Sequence, residues 1–199
     1  IVAQIAKKVG VNLKKRGYKV FYTRSKDVFV NLRTRTAMAN QAKADIFVSI
    51  HANAAPSKSS ASKMQGIETY FLSPSRSERS KKVAALENNG DIGDMNQFSK
   101  QTFLNFLNRE KIVAANKLAI DVQKYMLDSV QKKFSANDSG VREAPFWVLV
   151  GATMPSILIE VGYITHPQEG PNIADDKYQN ALAKGISDGI VAYFAKNPI

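Results

Sequence analysis

The sequence predicts an α/β fold, a mostly parallel twisted sheet with helices on both faces, three layers in all. Two observations carry that prediction. Apolar stripes at helical period alternate with short β-rich runs, the pattern of βαβ units. The runs at 46–50 and 157–161 are nearly continuous in apolar residues, as strands covered on both faces are. A chain of 199 residues is long enough for one sizeable core, so residues 1–199 read as a single domain.

The elements follow in order. Residues 1–16 set Ile1, Val2, Ile5, Val9 and Leu13 on one helical stripe, which Gly17 ends as a C-cap glycine does. No cap precedes Ile1, and the opening residues lack a signal peptide's order of charge, apolar run and cleavage site. The chain is therefore expected to begin inside a helix of a larger protein. Residues 18–23 (YKVFYT) read as a short strand. Asn31 caps a second helix with the stripe Leu32, Thr36, Ala39 and Asn40, and Asp45 opens the strand at 46–50. Residues 54–63 are small and polar, an exposed loop, and 66–72 (GIETYFL) form another strand.

Residues 73–96 are mixed and charged, with Gly90 and Gly93 breaking any long helix. From about 98 to 130 a helical stripe returns through Ile112, Ala115, Ala119, Val122, Tyr125 or Met126, and Val130. A polar connection at 132–140 leads to strands at 146–150 and 157–161. Asp175 or Asp176 then caps a last helix with Tyr178, Leu182, Ile186, Ile190 and Phe194 facing the core.

Composition narrows the chemistry. No run approaches ~18 consecutive apolar residues, so no membrane span is predicted. The absence of cysteine excludes disulfides, thiol nucleophiles and Cys-ligated zinc, and suits cytoplasm and periplasm alike. The net charge of +11 fits nucleic acid, an anionic wall polymer, or a solvated basic surface with no specific partner. Against nucleic acid, the chain has no helix-turn-helix, zinc finger or aromatic RNA-binding motif.

Only two histidines are present. His51 stands at the carboxyl end of the buried strand 46–50, the edge where ligands collect in open α/β sheets, and reads as either a structural histidine or a metal ligand. His166, between Thr165 and Pro167, reads as part of a surface turn. Glu160 lies inside an apolar strand that would ordinarily exclude a carboxylate. It is either a general base or a glutamate paired with Arg142 or Lys184. His51 and Glu160 together fit metal-assisted hydrolysis, but catalytic zinc takes three protein ligands and spacing alone supplies one.

Several phrases resemble one family. They are residues 44–54 (ADIFVSIHANA), 16–20 (RGYKV) with Thr23 and Arg24, 32–35 (LRTR) with Ala39 and Asn40, 66–70 (GIETY), 140–146 (GVREAPF) and 154–164 (MPSILIEVGYI). Taken in chain order they are similar to zinc-dependent N-acetylmuramoyl-L-alanine amidases, and the likeness runs from residue 1 to about 194. The resemblance implies hydrolysis of the amide joining N-acetylmuramic acid to the stem peptide of peptidoglycan, with Zn2+ as cofactor. It makes His51 a zinc ligand and Glu160 the catalytic glutamate, with Arg142 and Glu68 near the substrate or behind the ligands. The family's first histidine and its ligand glutamate would lie upstream of residue 1. The 199-residue chain is thus expected to be an incomplete domain that binds zinc poorly and is inactive alone.

The connection at 73–112 is longer than neighbouring sheet elements require, and long connections in compact domains are often functional. It resembles the insert that keeps amidases of Gram-negative division machinery switched off, with 83–89 (VAALENN) the most similar stretch. Glu87 is then an inhibitory ligand. Phe98, Phe103, Leu104, Phe106 and Leu107 would dock the insert or bind an activator. The same resemblance implies export, a periplasmic location and a periplasmic activator protein. A wall-binding module without catalysis and a different metallopeptidase are the rival readings, and the buried Glu160 argues against the first.

Overall fold

The structure, a computed structural model, describes residues 1–74, 77–89 and 108–198. In chain order the elements are α1 (Val2–Lys14), α2 (Leu32–Gln41), β1 (Phe47–Asn53), β2 (Ile67–Leu72), α3 (Glu78–Asn88), α4 (Arg109–Val130), β3 (Asp138–Ala144), β4 (Ser156–Tyr163), α5 (Glu169–Ala174) and α6 (Asp176–Lys196). The strands form one sheet in the order β1-β4-β2-β3. β1 runs parallel to β4 and β2 parallel to β3, while β2 and β4 are antiparallel, so two of three pairings are parallel.

The sheet separates two cores. Val48 and Ile50 of β1, Ile67 and Phe71 of β2, and Ile157, Ile159 and Val161 of β4 face the larger one, with α1, α4 and α6. Phe47, Tyr70, Ala144 and Leu158 face the smaller one, covered by α2, α3 and the 3-10 turn Trp147–Leu149. This is the three-layer α/β arrangement the sequence predicts. β4 is buried at all eight positions, which explains its unbroken apolar reading.

The helix ends obey the predicted caps. Asn31 Oδ1 accepts from Arg33 N at 2.9 Å, and Asp175 Oδ1 accepts from Tyr178 N at 3.0 Å. Gly17 takes φ 86°, the left-handed geometry that lets the chain turn off α1. Two expectations are corrected. Residues 18–23 form no strand: they lie alongside β1 across a cavity of ≈ 550 Å³ and are held by side chains instead, with Tyr18 stacked on Phe194 and Tyr22 Oη 3.4 Å from the Lys7 carbonyl. A β-rich run without a neighbour in hydrogen-bonding reach stays a loop. Residues 146–150 form the 3-10 turn rather than a strand, with Leu149 N donating to Phe146 O at 3.1 Å. A short apolar run cannot by itself distinguish a strand from a buried helical turn.

Candidate metal centre

The strand pleat builds the site. Side chains alternate between the two cores, which places Ser49 and His51 of β1, Glu160 of β4, and Glu68 of β2 on the face of the smaller core. The register sets His51 opposite Glu160 and Glu68 opposite Glu160 on its other side. Three polar side chains therefore stand in one row across three strands.

Helix α3 lies over that row. Ser77 caps it, its side chain accepting from Ser80 N, and Val83 and Ala84 bury it in the smaller core. Arg79 and Glu87, eight residues apart, are separated by ~12 Å along the helix. The row from Glu68 to His51 spans two interstrand steps, ~9.5 Å. The two spacings match closely enough for both ends to engage. Arg79 Nη2 donates to Glu68 Oε1, while Glu87 Oε2 lies 2.5 Å from His51 Nδ1. Asn88 fastens the helix end: its Nδ2 donates to Pro145 O at 3.0 Å and its Oδ1 accepts from Trp147 N at 2.9 Å.

The two buried glutamates differ in their surroundings. Glu68 has Arg79, the Tyr70 hydroxyl at 2.6 Å and Arg142 Nε at 3.4 Å. Burial, then the Glu68 carboxylate, push the Tyr70 hydroxyl well up. Glu160 is fully buried, and among the described residues neither of its carboxylate oxygens has a hydrogen-bond partner. Burial above all, then the nearby Glu87 and Glu68 carboxylates, hold Glu160 well above the usual carboxylate range. Such a group needs a proton or a cation to offset its desolvation.

His51, Glu87 and Glu160 each turn one donor atom to a common point, all within 4.8 Å of one another. One imidazole nitrogen and two carboxylate oxygens are a donor set that suits zinc, and the unpartnered Glu160 oxygens fit a cation there. The geometry is a possible metal site, with His51 and Glu87 half-buried and Glu160 fully buried.

Of the predicted residues, His51, Glu87 and Glu160 converge, and Glu68 stands beside Glu160. Arg142 reaches Glu68 and donates to Ser139 O at 3.0 Å, while Lys184 pairs with Asp188 at 2.5 Å, so neither of the ion pairs weighed for Glu160 forms. His166 stands in the surface turn the sequence predicts, between exposed Thr165 and Pro167, but its own ring is buried, and its Nδ1 accepts from Gln168 N at 3.2 Å and Glu169 N at 3.1 Å. Phe98, Phe103, Leu104, Phe106 and Leu107 lie outside the described residues. Sequence reasoning missed Ser49, whose Oγ is 2.9 Å from His51 Nε2, although its two-residue spacing from His51 was a visible signal. Arg79 had no such signal, because only the docking of α3 brings it to Glu68.

The chain is similar to known proteins in sequence and fold. Residues 1–192 match the family model described as N-acetylmuramoyl-L-alanine amidase. The chain is 31% identical to the amidase AmiC of Escherichia coli O6:H1, over 98% of its own length and 47% of that protein's. It is 29% identical to the uncharacterized protein YqiI of Bacillus subtilis, over 96% of its own length and 71% of that protein's. It thus spans about half of the AmiC relative. The crystal structure of an N-acetylmuramoyl-L-alanine amidase from Clostridium difficile 630 superposes with a TM-score of 0.72 at 29% identity, covering 98% of this chain and 82% of that one. AmiC2 of Nostoc punctiforme superposes with a TM-score of 0.70 at 27% identity, covering 97% and 82%. With the α/β sheet, the row of site residues and a match over nearly its whole length, this chain belongs to the N-acetylmuramoyl-L-alanine amidase family.

Proposed function

We propose that this domain hydrolyses the amide between N-acetylmuramic acid and the L-alanine of the stem peptide, and that it does so with zinc. The observation that carries the reading is the convergence of His51, Glu87 and Glu160, with both Glu160 carboxylate oxygens lacking a hydrogen-bond partner among the described residues. Zinc, when bound, supplies a Lewis acid that polarises the amide carbonyl and acidifies an attacking water. His51 is the ligand this chain contributes from β1. Glu160, buried and raised, takes the proton from the attacking water and passes it to the departing alanine nitrogen, a transfer that favours a carboxyl group with elevated affinity for protons. Arg142 and Arg79 keep the neighbouring Glu68 neutralised, which limits the negative charge beside Glu160.

A remaining histidine and glutamate ligand are proposed to lie upstream of residue 1, in keeping with relatives longer than this chain. In the 73–112 insert, α3 is read as an autoinhibitory helix: Glu87 occupies the point where substrate or water would approach, and an activator protein would lift it. Wall remodelling and daughter-cell separation in the periplasm of an exporting cell fit that control. No helix among the described residues is long and apolar enough to cross a membrane.

The test is mass spectrometry of purified peptidoglycan incubated with the N-terminally completed domain, with and without chelator. Chelator-sensitive release of peptides that begin with a free L-alanine amine is the expected result. Intact glycopeptides from a domain whose insert has also been deleted would instead favour a wall-binding module.

A further inference from the structure

The two ring nitrogens of His51 have different neighbours. Nδ1 faces Glu87, on the side of the converging donors, and Nε2 lies 2.9 Å from Ser49 Oγ. Ser49 sits two residues before His51 on the same face of β1 and is buried. The strand itself therefore delivers the hydroxyl to the ring, with no loop involved. A histidine that ligates a metal needs a partner for its other nitrogen, because that hydrogen bond fixes both the tautomer and the ring's orientation.

Resting on the metal reading above, we propose that Ser49 is a positioning residue that makes Nδ1 the metal-binding nitrogen of His51 and partners Nε2 in both states of the site. In the closed state, with the Glu87 carboxylate against it, Nδ1 carries the ring proton and donates it, while Nε2 accepts from the Ser49 hydroxyl. With the Nδ1 lone pair given to a metal, the ring proton sits on Nε2 and Ser49 Oγ accepts it. Between the two states the ring proton changes nitrogen and the hydroxyl turns to match it. A hydroxyl is both donor and acceptor, so it serves each state. A carbonyl or an ammonium would serve one of them, and a methyl neither.

The chain's two histidines make the test readable, since His166 is an internal reference. Zinc affinity of the 199-residue chain, measured by competition with a chromophoric chelator, should fall about 10- to 100-fold in Ser49→Ala. Ser49→Thr keeps the hydroxyl and should hold the wild-type affinity. Nitrogen-15 spectra of the zinc-loaded chain should place the metal on Nδ1 and the proton on Nε2 of His51, with the His166 ring unmoved. Equal zinc affinity in Ser49→Ala and wild type, or zinc on Nε2, overturns the proposal. Should the wild-type chain take up no zinc at all, as the proposed upstream ligands allow, the metal reading is tested on the N-terminally completed domain, and the metal-free spectra of this chain decide on Ser49. A shift of the His51 Nε2 signal in Ser49→Ala then upholds the contact, and an unmoved signal overturns it.

Discussion

Glu160 is surrounded by features that oppose its ionisation: full burial, no hydrogen-bond donor among the described residues, and two carboxylates nearby. Its folded-state pKa lies above its ordinary value of 4.5, so the folded chain keeps a proton that the unfolded chain has released. Stability then falls as pH rises from about 4.5 through the raised value, and the contribution present below that window is lost above it. Glu160→Gln keeps the shape and removes the titration. With chelator present, the variant should melt higher than wild type at neutral pH and lose this part of the decline with pH. About 1 kcal/mol corresponds to ~2–4 °C in a domain of this size. Thermal melts at pH 5 and pH 8 check this, and a variant less stable at both would mean that the carboxylate is held by favourable contacts. Glu160 was legible in the sequence because a carboxylate inside an apolar strand breaks the pattern around it. Arg79, which meets Glu68, and Ser49, which meets His51, were not singled out, since charged and hydroxyl residues in a polar stretch or at a strand position are common and acquire meaning only from what they face.

At the scale of elements, α3 joins two polar contacts through one rigid rod. Glu87 meets His51 and Arg79 meets Glu68, with Val83 and Ala84 packed between them. If Glu87 is an inhibitory ligand, removing it has opposite effects on two observables. In Glu87→Ala of the N-terminally completed domain, peptidoglycan hydrolysis without activator should rise by up to about tenfold, the equivalent of ~1.4 kcal/mol for one charge-assisted contact. Zinc affinity should fall in the same variant, because a donor is gone. A parallel fall in both would make Glu87 a supporting ligand of the active state, and would sink autoinhibition through this contact. The helix was readable only as a likeness at 83–89, because VAALENN is too short and too polar at its end to carry a strong apolar stripe. Its placement comes from burying Val83 and Ala84 in the smaller core, against β3 and the 3-10 turn. The misread run at 18–23 shows the complementary failure: β propensity is a property of residues, whereas a strand is a property of pairs.

The whole molecule divides its tasks between the faces of the sheet. The larger core, under α1, α4 and α6, contains no residue of the candidate site, while the smaller core, under α2 and α3, borders all of it. The sequence signals follow the same division. Long stripes and unbroken apolar runs reveal the larger core well. The smaller one is assembled from single residues of many short elements and hence is hard to read. If stability resides mainly in the first layer, a change there should weaken the fold without altering the site. The contact of α4 with α6 provides such a change. A Cβ on Gly189 would come within 2.6 Å of Val122 Cα, and one on Gly185 within 2.5 Å of Met126 Cα, so each glycine lets two helix backbones approach where no side chain fits. Gly189→Ala should force the helices apart and cost about 1–3 kcal/mol. Urea unfolding would register this as a lower midpoint at unchanged slope. Zinc affinity of the folded variant, measured well below that midpoint, should match wild type, since α6 packs in the core on the other face of the sheet from the site. A matched loss of stability and affinity would instead show that the two layers respond as one, with the sheet transmitting strain from the helices behind it to His51 and Glu160.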